Sequence, residues 1–408
     1  MIALDADALG RRAEAMHREL ARISAEPDRL VRLFLSPEHR RAADLVARWM
    51  GEAGLRVSED AIGNVRGRMG EGPRLLLGSH LDSVIDAGIY DGPLGVIAPI
   101  LAVDAFTRAG VAPPTGVEVI AVGDEEASRF PTTLSTSAAL VGAFEQTTLA
   151  LQDAAGVTYA EALRAYGKDP AKIATAAIPP GEAAAYLEVH IEQGPVLESK
   201  NQPLGVVTAI VGQMRLAITL TGSAGHAGTV PMKLRHDALA GAAEIVLMVE
   251  RMASTTDGMV ATVGSLTTYP GAVNIIPGKV RLTLDLRTAS DEQRQATVRE
   301  FDRQTRAIAA RRGLAIEIAT THGIATVPCD PRLQDNLAAA IEAVGGKAIR
   351  LASGAGHDGM MFAKICPIVM MFVRCKGGVS HNPAEYASPR DMGLAVAALV
   401  RFIEGLKP

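Results

Sequence analysis

Arg74-Leu75-Leu76-Leu77-Gly78-Ser79-His80-Leu81-Asp82 decides the fold of this chain. The short apolar run reads as a strand that ends on a histidine and an aspartate. Eleven residues beyond His80 comes Asp91 in Tyr90-Asp91-Gly92-Pro93, and Gly92 to Gly110, rich in Ala, Ile and Val, reads as a buried helix. A second apolar run, Val117-Glu118-Val119-Ile120-Ala121-Val122, follows and ends on Glu125-Glu126. Strand, helix, strand with polar residues at the strand C-termini is the α/β pattern, and such sheets gather ligands at that edge.

The rest of the chain organises around this unit. Helical periodicity runs from about Asp7 to Ile23, and Ser36-Pro37-Glu38 starts a second helix by the N-cap and N1-proline rule, ending at the glycines near Gly51 and Gly54. The texture changes near Gly212. Arg215 to Thr221 and Lys279 to Thr288 alternate apolar and polar side chains, which marks antiparallel strands with one wet face. Two helical segments, about Leu234–Ala253 and Asp291–Arg312, and a strand near Leu314–Thr320 complete an expected four-stranded antiparallel sheet with two helices. Helix–strand texture then returns up to Pro367–Val373 and a C-terminal helix. The expected fold is α/β: a discontinuous catalytic domain (1–211 and 326–408) with a mixed, largely parallel sheet flanked by helices, plus an inserted α+β lid and dimerisation domain (212–325).

Composition narrows the class. The chain has 408 residues, 48% of them apolar, and a formal charge of −4 from 41 basic and 45 acidic residues. Interleaved charge of this kind offers no concentrated basic face for nucleic acid. No stretch approaches the roughly 20 apolar residues of a membrane span. The start, Met1-Ile2-Ala3-Leu4-Asp5-Ala6-Asp7, carries neither a basic leader nor an apolar signal core, which points to the cytoplasm. Cys329, Cys366 and Cys375, unpaired in spacing, read as reduced thiols.

Five metal-binding side chains stand in one order: His80, Asp91, Glu126, His190 in His190-Ile191-Glu192-Gln193-Gly194, and His381 in Ser380-His381-Asn382-Pro383. Each alone has an ordinary explanation as a turn aspartate, a solvated strand end or a loop histidine. Together, each on a strand end or glycine-rich loop, they make a two-metal centre. Asp91 would bridge, His80 and His190 would complete one site, and Glu126 and His381 the other. Paired ions about 3.5–4 Å apart activate water and polarise a carbonyl. Glu125 would be the general base, delivering its proton to a leaving nitrogen. Asp82, two positions beyond His80 on the same face, can accept the second N–H of that ring. Imidazole with carboxylate suits Mn²⁺, Zn²⁺, Co²⁺ or Ni²⁺.

These motifs resemble the M20 metallopeptidase-like amidohydrolases. The similarity rests on Gly78-Ser79-His80-Leu81-Asp82-Ser83-Val84, Tyr90-Asp91-Gly92-Pro93-Leu94-Gly95 and Asp124-Glu125-Glu126-Ala127-Ser128-Arg129-Phe130. Within them, His190-Ile191-Glu192-Gln193-Gly194-Pro195 and Gly225-His226-Ala227-Gly228-Thr229 resemble the ureido (hydantoinase/carbamoylase) branch. Val84-Ile85-Asp86-Ala87-Gly88, Gly228-Thr229-Val230-Pro231-Met232, Asp285-Leu286-Arg287-Thr288 and Phe372-Val373-Arg374-Cys375-Lys376-Gly377-Gly378 are similar to allantoate amidohydrolases. Ala127 and Gly359 depart from that pattern, standing where glycine and alanine are usual.

The resemblance implies hydrolysis of allantoate to ureidoglycine, ammonia and carbon dioxide. N-carbamoyl-L-amino acid (or β-ureidopropionate) hydrolysis is the alternative, and a peptidase, an aminoacylase or an inactive metal-binding relative is more remote. It further implies that Arg287 binds the substrate carboxylate as a bidentate fork, that Asn274 supports the same end, and that Gln193 reads the urea or the carboxylate. His226 would reach the partner's site in a homodimer and stabilise the oxyanion. His357, in Ser353-Gly354-Ala355-Gly356-His357-Asp358, reads as a second polar anchor. His17, His39, His236 and His322 read as surface residues.

Overall fold

Helix α1 (Ala6–Ala21) begins where the Asp5 carboxylate accepts the Ala8 N–H at 3.0 Å, and α2 (Pro37–Glu52) begins where Ser36 Oγ accepts the His39 N–H at 3.1 Å. Both starts follow the capping rule, which satisfies amides the first turn leaves orphaned. The computed structural model describes residues 1–406. It contains two compact units: Met1–Thr208 with the chain from Cys329 onward, and Ala209–Pro328.

In the first unit, strands β1 (Arg56–Glu59), β2 (Val65–Met69), β3 (Arg74–His80), β4 (Gly116–Val122), β5 (Ala183–Ile191) and β6 (Leu204–Ile210) join Ile368–Val373 in one mixed sheet. The order is β1-β2-β4-β3-β5, then Ile368–Val373, then β6. Its centre is parallel: β3 pairs with β4 and β5, and β5 with Ile368–Val373. Helix α3 (Pro93–Ala109) is buried from Pro93 to Phe106, as the unbroken apolar run requires. Its Ile97 and Leu101 share a core with Leu9 and Ala13 of α1, Val396 and Leu399 of the last helix (Pro389–Gly405), and Leu75, Leu77 and Val119 of the sheet. Because β3, β4, β5 and Ile368–Val373 run the same way, the segments leaving their C-terminal ends converge. Those segments carry Glu125 and Glu126, and His381, while His80 is the last residue of β3 and His190 lies near the end of β5.

Two histidines expected at the surface lie inside. His17 is 0% and His39 is 2% exposed, whereas His236 and His322 are exposed. His17 continues the buried face Leu9, Ala13, Leu20 of α1; its Nδ1–H donates to Ala13 O at 2.7 Å and its Nε2 has no partner among the described residues. Burial lowers its pKa to about 4, outweighing the Ala13 hydrogen bond and the Glu14 charge, which raise it. A folded pKa below the unfolded value means protons favour the unfolded chain. This contribution is therefore intact above about pH 6.5 and is lost as pH falls toward 4, with roughly 2 kcal/mol gone at pH 5. Denaturant unfolding between pH 7 and 5 should show that loss in the wild type and a flatter profile in His17→Leu.

In the second unit, Gly212–Thr221, Lys279–Thr288 and Ala315–Ile324 are the long strands, and helices Ala238–Ser254 and Asp291–Arg312 cover one face. Val280, Leu282, Leu284 and Leu286 pack there with Ile245, Met248, Phe301 and Ile308. The sheet has five strands rather than the expected four. It is four strands wide because one edge is split: Leu266–Tyr269 and Met259–Thr262 both pair with Lys279–Thr288. A separate two-stranded ribbon pairs Gly225–His226 with Ile275–Ile276. All three cysteines are free and buried, and no described helix is long and apolar enough to cross a membrane.

Candidate metal centre

His80 and His190 end neighbouring strands with their Nδ1 atoms already engaged. His80 Nδ1 lies 3.1 Å from Asp82 O, and His190 Nδ1 lies 2.9 Å from Ile191 O. Since a carbonyl only accepts, each Nδ1 carries a proton, and each Nε2 is the nitrogen left to bind an ion once its own proton is gone. Both Nε2 atoms face one oxygen: Nε2 to Asp91 Oδ1 is 3.5 Å from His80 and 3.2 Å from His190. The other Asp91 oxygen, Oδ2, lies 3.5 Å from His381 Nε2, which is also 3.4 Å from Glu126 Oε2. Asp91 thus stands between two donor groups.

These spacings suit an ion better than hydrogen bonds. A charge-assisted N–H···O contact is about 2.7–2.9 Å, whereas two tetrahedral ligands each about 2.1 Å from one ion lie about 3.4 Å apart. The sets His80/Asp91/His190, Asp91/Glu126/His381 and His80/Glu125/Glu126 each bring their donor atoms within 4.8 Å of one another. Imidazole nitrogen with carboxylate oxygen is a donor set for Zn²⁺ or Mn²⁺. The residues fit the group.

The surroundings polarise the cluster. Burial pushes the Asp91 carboxyl up, but His190 and His80 outweigh it and hold it well below the usual carboxylate range. Burial raises Glu125 well above its ordinary value, with Glu126 and Asp358 adding and His80 opposing. Glu126 is pushed to about 8, by burial first and then by Asp91 and Asp82 against the pull of His80. Gly92 is required at the head of α3: its φ is 80°, and a Cβ there would lie 2.5 Å from His80 Cε1.

Asp82 contributes more than an orienting contact. Its carboxylate is 3.4 Å from His80 Nδ1, farther than its own carbonyl, and it accepts the N–H groups of Glu125 and Glu126 at 3.2 Å each. It therefore ties the glutamate pair of one strand end to the histidine of the next. Gln193, with φ 54°, donates from Nε2 to Asp91 Oδ2 at 2.7 Å and to Ser380 Oγ at 3.2 Å. His357 is buried, edge-on to His190 at 4.6 Å between centroids, with Nε2 2.7 Å from Ser353 Oγ. His226, Asn274 and Arg287 belong to the second unit. There Ala227, next to His226, donates its N–H to Asn274 O at 2.9 Å, and Arg287 forks onto Asp285 at 2.9 and 3.1 Å.

Three residues escaped the sequence reading. Ser380 hydrogen-bonds Asp91 Oδ2; its place beside His381 was the available signal. Glu188 accepts from Ser79 Oγ at 2.8 Å and Gly359 N at 3.1 Å, and its position two residues before His190, on the same strand face, could have marked it. Arg32 had no local signal. It is fully buried, donates from Nε to Leu81 O at 2.7 Å, and exchanges backbone and hydroxyl bonds with Ser83, so it brackets the Leu81–Ser83 segment.

The loop after β4 is strained. Asp124, Ala127 and Leu134 have φ of 62°, 53° and 59°. A left-handed alanine costs roughly 1 kcal/mol or more that glycine avoids. Ala127→Gly should raise the unfolding free energy by about 0.5–1 kcal/mol, after the entropic cost of glycine is subtracted, as read from a denaturant midpoint.

A carboxylate shared by two histidine-bearing groups, at the C-terminal edge of an α/β sheet, defines the class: a metal-dependent hydrolase. The chain belongs to Peptidase family M20/M25/M40, whose model matches residues 76–405. It is 40% identical to a probable allantoate deiminase of Oryza sativa subsp. japonica, over 95% of this chain and 86% of that protein. It is also 40% identical to an N-carbamoyl-L-amino acid amidohydrolase of Geobacillus stearothermophilus, over 94% and 95%. A crystal structure of a hydantoinase/carbamoylase family amidase from Burkholderia multivorans superposes with a TM-score of 0.91, at 32% identity over 98% of both chains.

Proposed function

We propose that this chain hydrolyses the ureido C–N bond of allantoate, giving ureidoglycine, ammonia and carbon dioxide. The observation that carries the reading is Asp91, whose two oxygens face His80 and His190 on one side and His381, beside Glu126, on the other at 3.2–3.5 Å. His80, Asp91 and His190 would hold one divalent ion, and Asp91, Glu126 and His381 a second, with Mn²⁺ or Zn²⁺ first and Co²⁺ or Ni²⁺ accepted. Such ions polarise a carbonyl and make water acidic.

Glu125 takes a proton from the attacking water and returns it to the leaving nitrogen, a task suited to a half-buried carboxyl whose pKa desolvation raises. Asp82 holds that base by its backbone amide. Arg287, oriented by Asp285, receives the substrate carboxylate with Asn274 beside it; Gln193 reads the urea nitrogen or the carboxylate, and His357 is a second polar anchor. His226, exposed on its ribbon, supplies an oxyanion donor to the partner's site in a homodimer.

N-carbamoyl-L-amino acids are the second reading, favoured by the equal 40% identity to an amidohydrolase named for them. Both substrates present a carboxylate and a planar urea, so the chemistry is common and the pocket decides. Ammonia release from Mn²⁺-reconstituted protein should be far faster with allantoate than with N-carbamoyl-L-amino acids. The reverse preference would keep the mechanism and change the substrate; no release from either would sink the ureido reading.

A further inference from the structure

Behind Asp91 lies a carboxylate that no step above uses. Glu385 is buried, and its Oε1 accepts the Tyr90 N–H at 2.8 Å and the Asp91 N–H at 3.1 Å. Its own N–H donates to Asn382 O at 3.0 Å, within the turn that starts at His381. One residue therefore ties the loop bearing Asp91 to the loop bearing His381 across 294 positions of the chain. Two amides could be satisfied by water or a carbonyl without burying a carboxylate, which costs several kcal/mol unless its contacts compensate. The neighbourhood is built around it: a Cβ on Gly88 would lie 2.3 Å from Glu385 Cδ. Tyr90 is held from its far end as well, its hydroxyl donating to Glu14 Oε2 at 3.0 Å.

We propose that Glu385 is a positioning residue that sets the separation of Asp91 and His381, and with it the affinity of the centre for its second ion. This rests on the reading that both residues hold metal. Nothing in it depends on the charge of Glu385, only on an oxygen placed to receive two amides. An outer contact of this kind is worth about 10–100-fold in metal affinity.

The test compares wild type, Glu385→Leu, Glu385→Gln and Gly88→Ala in the full chain by two readouts. Hydrogen exchange of the metal-free protein, followed on the peptide containing Tyr90 and Asp91, reads the two amide bonds; Mn²⁺ titration reads the centre. Glu385→Leu should exchange faster there and bind its weaker Mn²⁺ about 10–100-fold less tightly. Gly88→Ala, which must push the carboxylate aside, should do the same. Glu385→Gln keeps an acceptor oxygen and should restore both readouts, although its new N–H lacks a partner and lowers the melting temperature. Should Glu385→Leu fail to fold, Gln against Gly88→Ala carries the comparison.

Wild-type Mn²⁺ affinity in Glu385→Leu or Gly88→Ala would overturn the proposal, as would Glu385→Gln failing as badly as leucine. If the wild type itself binds no Mn²⁺, the metal reading fails, and unchanged or faster exchange in the variants still decides whether Glu385 holds the loop.

Discussion

Replacing Glu125 by glutamine is expected to cut turnover about 10²–10⁴-fold, the usual share of a positioned general base, while leaving fold and metal uptake intact. The expectation follows from where the residue sits. Its backbone is fixed twice, by its N–H on Asp82 Oδ1 and by Thr133 Oγ1 on its carbonyl, neither of which involves the side chain. The carboxyl itself is half-buried near His80 and Glu126, and desolvation raises its pKa well above the ordinary carboxylate range. A group so placed can take a proton and give it back; an amide of the same shape cannot. Melting temperature and Mn²⁺ stoichiometry should match the wild type, and only kcat should fall. Turnover near the wild-type rate would remove Glu125 from the role of base.

Asp91→Asn should cost at least as much, by a different route. One oxygen faces His80 and His190 and the other faces His381, so a single substitution weakens both halves of the centre. Losing several kcal/mol of charge stabilisation corresponds to about 10³-fold or more in rate. Unlike the glutamine variant at 125, this one should also lose metal, which elemental analysis after dialysis reads directly. Full retention of both ions would show that Asp91 does not bridge. The two variants together separate chemistry from metal binding, since one should fail with its ions in place and the other for want of them.

Much of the site was legible because its residues mark strand ends. Short apolar runs locate β3 and β4, and polar residues following such runs collect at one sheet edge. The cap at Ser36 and the glycines bounding α3 were equally local signals. His17 shows where that reading can slip. It sits in register with Leu9, Ala13 and Leu20, so the helical period already assigned it to the core, but its polarity suggested the surface. The split edge of the second sheet escaped because a short break between Thr262 and Leu266 changes the strand count without changing the width.

By itself the sequence determined the alternation of strands and helices and the identity and order of the donor residues. Those properties depend on periodicity and caps within a few residues of each position. Only the tertiary structure decided that both Nδ1 atoms are engaged by carbonyls, that Asp91 divides its oxygens between two groups, and that Asp82 grips the Glu125–Glu126 amides. It alone placed Arg32 behind Leu81 and Glu385 behind Asp91. The reason is physical: a hydrogen bond between residues far apart in the chain leaves no period in the sequence, because its partners are chosen by how the elements pack.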